Sequence, residues 1–508
     1  MEMNITEEAL EFSKAHIINF YDSDFFRKPF EFKAINANWD EIKSFYLSMD
    51  RYTTNNLIKM AAPKPKGGFR VVHQLDPLDC LLYTALTYQI ANFIEMNRAD
   101  KEVACSYRIC TNTGGNFFAD GHGYDLFERR CIEMADNFHY TLVTDLTDFY
   151  NQIYLHRLQN NIEYCDKELN SISKALEEFL ININVKVSKG VPVGPASSIV
   201  LAEAIFIDID EYIIKLNPNY VRYVDDIVIF SDSKLDLMWL LHQLTIFLYD
   251  NHRLNLSASK TRILESTEYI DSIQNPDKIE ANYIHKELET FQVRFDYTYI
   301  EPELDDLSTE DKTKVRTEAL CSFMQKIIDL KPLDLGLARH ILRKCRRLRT
   351  RAIINQLLSN FDFFVPVLPD VILYLEKVTN DTMLDHNMHH FENIVINSKT
   401  KNYPWVKDWL QKYFIDHYNV FSTNKTINSY INSGDIRILA LKARKERSIA
   451  WLRDKKTSFD HYGPWDRRAL IYAGTLLPSE EKKHWMDSII GNSNNLLDRV
   501  VAKYVKNL

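Results

Sequence analysis

Cysteine, glycine and proline are all scarce in this 508-residue chain, and no apolar run is long enough to span a bilayer. Seven cysteines, an odd number without a Cys-x-x-Cys pair, argue against a disulfide framework and against a thiolate zinc site. Only 13 glycines and 15 prolines disfavour a loop-rich all-β fold and favour long helices. Low-complexity tracts and strict repeats are missing, as is the charged-then-apolar start of a secretory signal. The expectation is a soluble, intracellular chain with reduced thiols and no membrane partner. Its length implies two or three domains.

The net charge of −8 is unevenly spread. Residues 301–508 hold 33 Lys and Arg against 26 Asp and Glu, which leaves 29 against 44 in residues 1–300. Phosphate contacts need Lys and Arg, so the acidic half is poorly suited to gripping a long duplex. The basic half is the better electrostatic partner for a polyanion.

Elements can be read along the first half. Pro63 to His73 predicts a hairpin turning at Gly67-Gly68. Asp76 is placed to cap a helix running to Glu95. Thr141–Asp145 and Val185–Gly190 read as strands, Ser197–Leu216 and Leu235–Asn251 as helices, and Thr261–Leu264 as a strand. The irregular mixture implies an α+β fold. An acidic stretch, Asp305-Asp306-Leu307-Ser308-Thr309-Glu310, suggests a boundary between domains 1–305 and 306–508, the second nearly all helical and compatible with stacked helix pairs.

Two aspartates, Asp225 and Asp226, stand inside the run Val221-Arg222-Tyr223-Val224-Asp225-Asp226-Ile227-Val228-Ile229-Phe230. The flanks read as two strands meeting at a tight turn. Like charges at such a tip repel unless cations sit there, although Asp is also ordinary turn chemistry. Asp145 ends another predicted strand about eighty residues earlier. Three carboxylates on neighbouring strands suit two divalent ions bridged by phosphates: Mg²⁺, with Mn²⁺ as an alternative.

In this order the motifs resemble the reverse transcriptase superfamily. Phe69-Arg70 is similar to the fingers segment and Asp145-Leu146-Thr147-Asp148-Phe149-Tyr150 to the first palm motif. Gly190-Val191-Pro192-Val193-Gly194-Pro195-Ala196-Ser197-Ser198 is similar to the second, Tyr223-Val224-Asp225-Asp226 to the Tyr-x-Asp-Asp box, and Leu256-Ser257-Ala258-Ser259-Lys260-Thr261 to the lysine motif. The resemblance implies that Asp145, Asp225 and Asp226 are catalytic metal ligands, with the Leu146 carbonyl in support. It implies that Tyr150 gates against a 2′-hydroxyl, so that the substrates are dNTPs. Lys66 and Arg70 would hold the triphosphate, Gly194 would admit the nucleotide, and Lys260 would support or protonate the leaving group. Taken alone, Tyr150 reads as a core aromatic and Lys260 as a surface lysine. Asp148 reads as structural.

Templated members carry Pro-Gln-Gly where this chain has Pro192-Val193-Gly194. The text Pro195–Ala204, together with Trp465-Asp466-Arg467-Arg468-Ala469-Leu470-Ile471 and Leu477-Pro478-Ser479-Glu480-Glu481, resembles the abortive infection (Abi) reverse transcriptases of bacterial antiphage defence. That resemblance implies fingers and palm followed by an all-α, HEAT-like C-terminal domain. It also implies untemplated DNA synthesis primed on a protein hydroxyl, a covalently attached single-stranded DNA product, homo-oligomers and the bacterial cytoplasm. Tyr21, Tyr46 and Tyr52 are the priming candidates. Arg339, Arg343, Arg346 and Arg347 share a helical face and could guide the nucleic acid, or could be paired with acidic groups. The alternatives are a templated RNA-directed DNA polymerase of retron or other defence type, and a silent palm serving as a scaffold.

Overall fold

The structure, a computed structural model, describes residues 5–20, 25–49, 51–121, 123–273, 317–329 and 331–508. Tyr21 and the boundary expected at 305/306 lie outside these residues. The described part is helix-rich with two small antiparallel sheets, and every element from Thr317 onward is helical.

The first sheet is the hairpin of β1 (Ile58–Pro63) and β2 (Phe69–Gln74). Gly67 and Gly68 adopt φ of 86° and 77°, which a side chain would resist, so this turn requires them. The second sheet has the order β4 (Tyr220–Tyr223), β5 (Asp226–Ser231), β3 (Tyr140–Asp145) and β6 (Arg262–Glu265). Its central strands are apolar on both faces because both are covered. Ile227 and Ile229 enter the main core, while Val228 and Phe230 enter a second cluster with Cys105, Phe127 and Tyr269.

The helices that position the site are α1 (Glu7–Asn19), α2 (Glu31–Ala37), α3 (Pro77–Asn97), α4 (Tyr124–Asn137), α5 (Ala196–Leu216) and α6 (Lys234–Phe247). Asp76 caps α3 as its side chain accepts from Leu78 N at 3.2 Å. The expected strand Val185–Gly190 is instead a turn. Val185 and Lys186 take φ of 56° and 67°, and the Asn184 amide donates to the carbonyls of Lys189 and Gly190 at 3.0 and 2.7 Å. That side chain supplies the donors that a neighbouring strand would have supplied.

Five later helices also matter: α7 (Leu335–Arg347), α8 (Leu368–Val378), α9 (Ile436–Glu446), α10 (Pro464–Ala473) and α11 (Leu496–Lys506). Residues 320–438 form their own core, which also takes in Phe26, Ala62 and Val72. The last helices do otherwise. Leu470, Ile471, Val500 and Val501 belong to the same buried core as Leu10, Ile35, Leu82 and Ile229. A buried charge cluster ties them there: Arg437 donates to both Glu31 oxygens at 3.0 and 3.1 Å, and Arg468 Nε donates to Glu31 at 3.2 Å. Arg468 Nη2 stands 2.8 Å from Asp76 Oδ2, close enough for a strong charge contact but off-axis for a hydrogen bond.

Candidate active site

Strand register brings the acidic residues together. Asp145, the last residue of β3, is opposite Asp226, the first of β5. Tyr223 closes β4 opposite the same Asp226, so Val224 and Asp225 form the tip of a two-residue turn. Asp145 and Asp225 are close enough to share a side-chain hydrogen bond. Burial, and then the neighbouring Asp145 and Asp226, push the Asp225 carboxyl up to about 8. Asp226 is raised by burial and by Asp145, with Lys260 opposing.

The lysine loop is laced to the end of β3. Ser257 N donates to Asp145 O at 2.7 Å, Thr147 N donates to Asn255 O at 2.9 Å, and the hydroxyls of Thr144 and Thr261 meet at 2.7 Å. Lys260 therefore lands with its ammonium on Asp145 Oδ2. Burial works against that charge, but the three carboxylates more than offset it and hold the lysine above its ordinary range.

Among the described residues, no three His, Cys, Asp or Glu side chains make a ready-built metal cage. The donor set still fits Mg²⁺, which takes one or two carboxylates and completes its shell with substrate phosphates and water. Crowding that protonates Asp225 near neutral pH marks a site short of positive charge.

These residues line a cavity of about 730 Å³. Its floor is Asp145, Leu146, Asp225 and Asp226. Tyr150 and Gly194 form one wall, and Lys64, Phe69 and Arg70 reach in from the hairpin. Tyr150 is held by its own backbone, whose carbonyl accepts from Val191 N at 2.9 Å, so the first and second motifs are stitched together. Val193 is bonded to the hairpin in both directions: His73 N donates to Val193 O, and Val193 N donates to His73 Nδ1, each at 3.0 Å. Burial lowers His73 to about 4, which keeps Nδ1 free to accept. Asp148 accepts from the Asn151 amide at 2.7 Å, a local structural bond.

Several predicted site residues are not brought here. Lys66 sits at the exposed hairpin tip; Lys64 lines the cavity in its place. The sequence carries no signal for that choice, which depends on hairpin register. Tyr46 and Tyr52 are tied up away from the cavity, donating to Leu78 O and to Asp79 Oδ1, each at 2.7 Å. Of the four arginines, only Arg339 lines the cavity. Arg339 and Arg343 both pair with Asp370 on α8, at 3.4 and 3.1 Å, so two of the four are engaged within the helical half.

Residues 62–285 match the family model described as Reverse transcriptase (RNA-dependent DNA polymerase). This segment is similar to a reverse transcriptase domain. No curated protein matches the chain. Among solved structures, apo telomerase from Candida tropicalis is similar at 11% identity over 74% of each chain, with a TM-score of 0.33. Telomerase from Candida albicans in complex with a TWJ fragment of telomeric RNA is similar at 12% identity, over 75% of this chain and 67% of that one, with a TM-score of 0.29. Scores this low carry no inference about activity. The matched span of the reverse-transcriptase-like domain holds every carboxylate of the cavity floor, and the cavity is completed by His16, Phe20, Phe25 and Arg339 from outside it.

Proposed function

We propose that this protein is a metal-dependent DNA polymerase of bacterial abortive infection, one that adds dNTPs without a template and starts on a hydroxyl of its own chain. The observation that carries this reading is the shape of the site. The carboxylates open into a cavity of small-molecule size, walled by α1, the fingers hairpin and Arg339. Such a volume suits one nucleotide better than a template duplex. Val193, where templated enzymes use glutamine, spends its backbone on His73.

Asp145 and Asp225, supported by Asp226 and the Leu146 carbonyl, would hold two Mg²⁺ or Mn²⁺ ions, which activate an attacking hydroxyl and stabilise the pyrophosphate. Arg70 and Lys64 grip the triphosphate, Arg70 by its fork of donors. Tyr150 packs beneath the sugar. Lys260, released from Asp145, holds or protonates the leaving group. The candidates for the priming hydroxyl are Tyr21 and the cavity tyrosines Tyr107 and Tyr223. On this reading the partners are dNTPs, an attached single-stranded DNA and further copies of the chain. The helical half is HEAT-like, and the protein works in the bacterial cytoplasm. No helix among the described residues is long and apolar enough to cross a membrane.

The test is incubation of purified protein with labelled dNTPs and Mg²⁺ without nucleic acid. Label that survives denaturation and disappears with protease is the expected result, and peptide mass spectrometry then names the primer. Incorporation only after RNA addition would instead support a templated RNA-directed DNA polymerase of retron or other defence type, the reading closest to the family description. In the same assay Lys64→Ala is expected to raise KM for dNTP about 5–10-fold, the size of one charge-assisted phosphate contact, and Lys66→Ala less than about 2-fold. Equal effects of the two would contradict the hairpin register.

A further inference from the structure

The turn that presents Asp225 is conformationally unfavourable. Val224, a β-branched residue, takes φ of 52°. Left-handed backbone is rare for such a side chain and persists only where the surroundings impose it. Here both backbone polar groups of Val224 are held from behind. Its N–H donates to Ser106 Oγ at 3.0 Å, and its carbonyl accepts from Arg222 Nη1 at 3.2 Å.

Neither partner is free to move. Ser106 Oγ donates its proton to Glu203 Oε1 at 2.9 Å, which leaves a lone pair for Val224. Glu203 also receives Arg222 Nη2 at 2.7 Å and Arg98 Nη2 at 2.8 Å. Arg222 is forked onto Asp210 at 2.8 Å through both Nε and Nη2, and its guanidinium lies 4.1 Å from the centre of the Phe206 ring. Arg98 in turn donates to the carbonyls of Ser106 and Tyr107 at 2.7 and 2.9 Å. Arg98 Nη1 also donates to Glu95 at 2.9 Å, and Ser106, Glu203, Asp210 and Arg222 are no more than 1% exposed. None of the four lines the cavity.

We propose that Ser106, with Glu203 and Arg222 behind it, is a positioning residue that clamps Val224 in its left-handed conformation and so aims Asp225 into the cavity. The proposal rests on the polymerase reading above. A buried four-charge cluster costs desolvation that apolar residues would avoid, so mere packing does not call for it. Two of its hydrogen bonds end on the backbone of Val224, whose left-handed φ is rare for a β-branched side chain, and Arg98 holds the carbonyl of Tyr107, where φ is 43°.

The test compares Ser106→Ala, Ser106→Thr and Val224→Gly in the full chain, alone and combined. Ser106→Ala is expected to lower kcat for nucleotide incorporation 10- to 100-fold with KM for dNTP changed less than 2-fold, and Ser106→Thr to restore most of it. Glycine accepts positive φ without a clamp, so in the Val224→Gly background the Ser106→Ala loss should shrink below 3-fold. A second readout needs no activity: hydrogen exchange at the Val224 amide should be at least 10-fold faster in Ser106→Ala than in the wild type. A loss of equal size in both backgrounds, or unchanged exchange, overturns the clamp. If the wild type incorporates nothing under any condition, the polymerase reading fails, and the exchange rates alone then decide whether the clamp exists.

Discussion

Asp225→Asn is expected to abolish nucleotide incorporation and, at the same time, to raise the melting temperature of the metal-free protein at pH 8. Both effects follow from one carboxyl. The proposed chemistry needs it as an anion, yet burial and the adjacent Asp145 and Asp226 push it up to about 8 from an ordinary 3.8. A carboxyl that binds its proton more tightly in the folded state than in the unfolded state stabilises the fold fully below about pH 4. That contribution is lost as pH rises through about 8. At pH 8 the wild type therefore carries a repulsion that asparagine removes, while the amide can still donate to Asp145. Allowing for the sharing of charge with Asp145, the gain is roughly 2–4 kcal/mol. Thermal unfolding at pH 5 and pH 8 checks it. The two proteins should differ little at pH 5 and clearly at pH 8, and Mg²⁺ should stabilise only the wild type at pH 8. A variant no more stable than the wild type at pH 8 would refute the electrostatic account. A variant that still incorporates nucleotide would remove Asp225 from the mechanism.

Arg468→Met should cost about 3–5 kcal/mol, the penalty for breaking a fully buried ion pair and leaving its partners charged. Arg468 is 0% exposed, as is Glu31, and Arg437 still holds Glu31 after the change. Asp76 is the group left exposed to the loss. Burial already raises it, Arg468 opposes that rise, and without Arg468 it goes higher. A raised carboxyl favours the fold at low pH, so the defect should be larger at pH 8 than at pH 5. Adding Asp76→Asn should recover most of the stability, because asparagine caps α3 nearly as well and carries no charge. Urea titrations of the single and double variants at both pH values measure this. A single variant as stable as the wild type would show that the cluster contributes nothing.

The acidic cavity was legible wherever the signal was local. Asp145 ends an apolar run, Asp225 sits at a tip flanked by β-branched residues, and Gly67-Gly68 marks its own turn, so chemistry and geometry coincide within a few positions. Long-range pairing left no such mark. Nothing near Glu31 announces that Arg437 and Arg468 will neutralise it, and Ser106 is an unremarkable serine until Val224 lies against it. Val185–Gly190 failed for a related reason. Its alternation is that of a strand, but Asn184 takes the carbonyls of Lys189 and Gly190, and pairing is limited to a single bridge with Tyr154. The arginines of α7 were read correctly as one helical face, yet the sequence could not say that Asp370 would meet two of them.

The union of α10 and α11 with the N-terminal helices has a consequence for biosynthesis. Glu31 leaves the ribosome about four hundred residues before Arg437 and Arg468, an interval of roughly 20–80 s at usual translation rates of 5–20 residues per second. Throughout that time the nascent chain holds a carboxylate with no counter-ion and an apolar surface without Leu470, Val500 and Val501. The N-terminal helices thus acquire their full core only when the helical tail arrives. A half-made chain therefore exposes apolar surface that the finished fold buries.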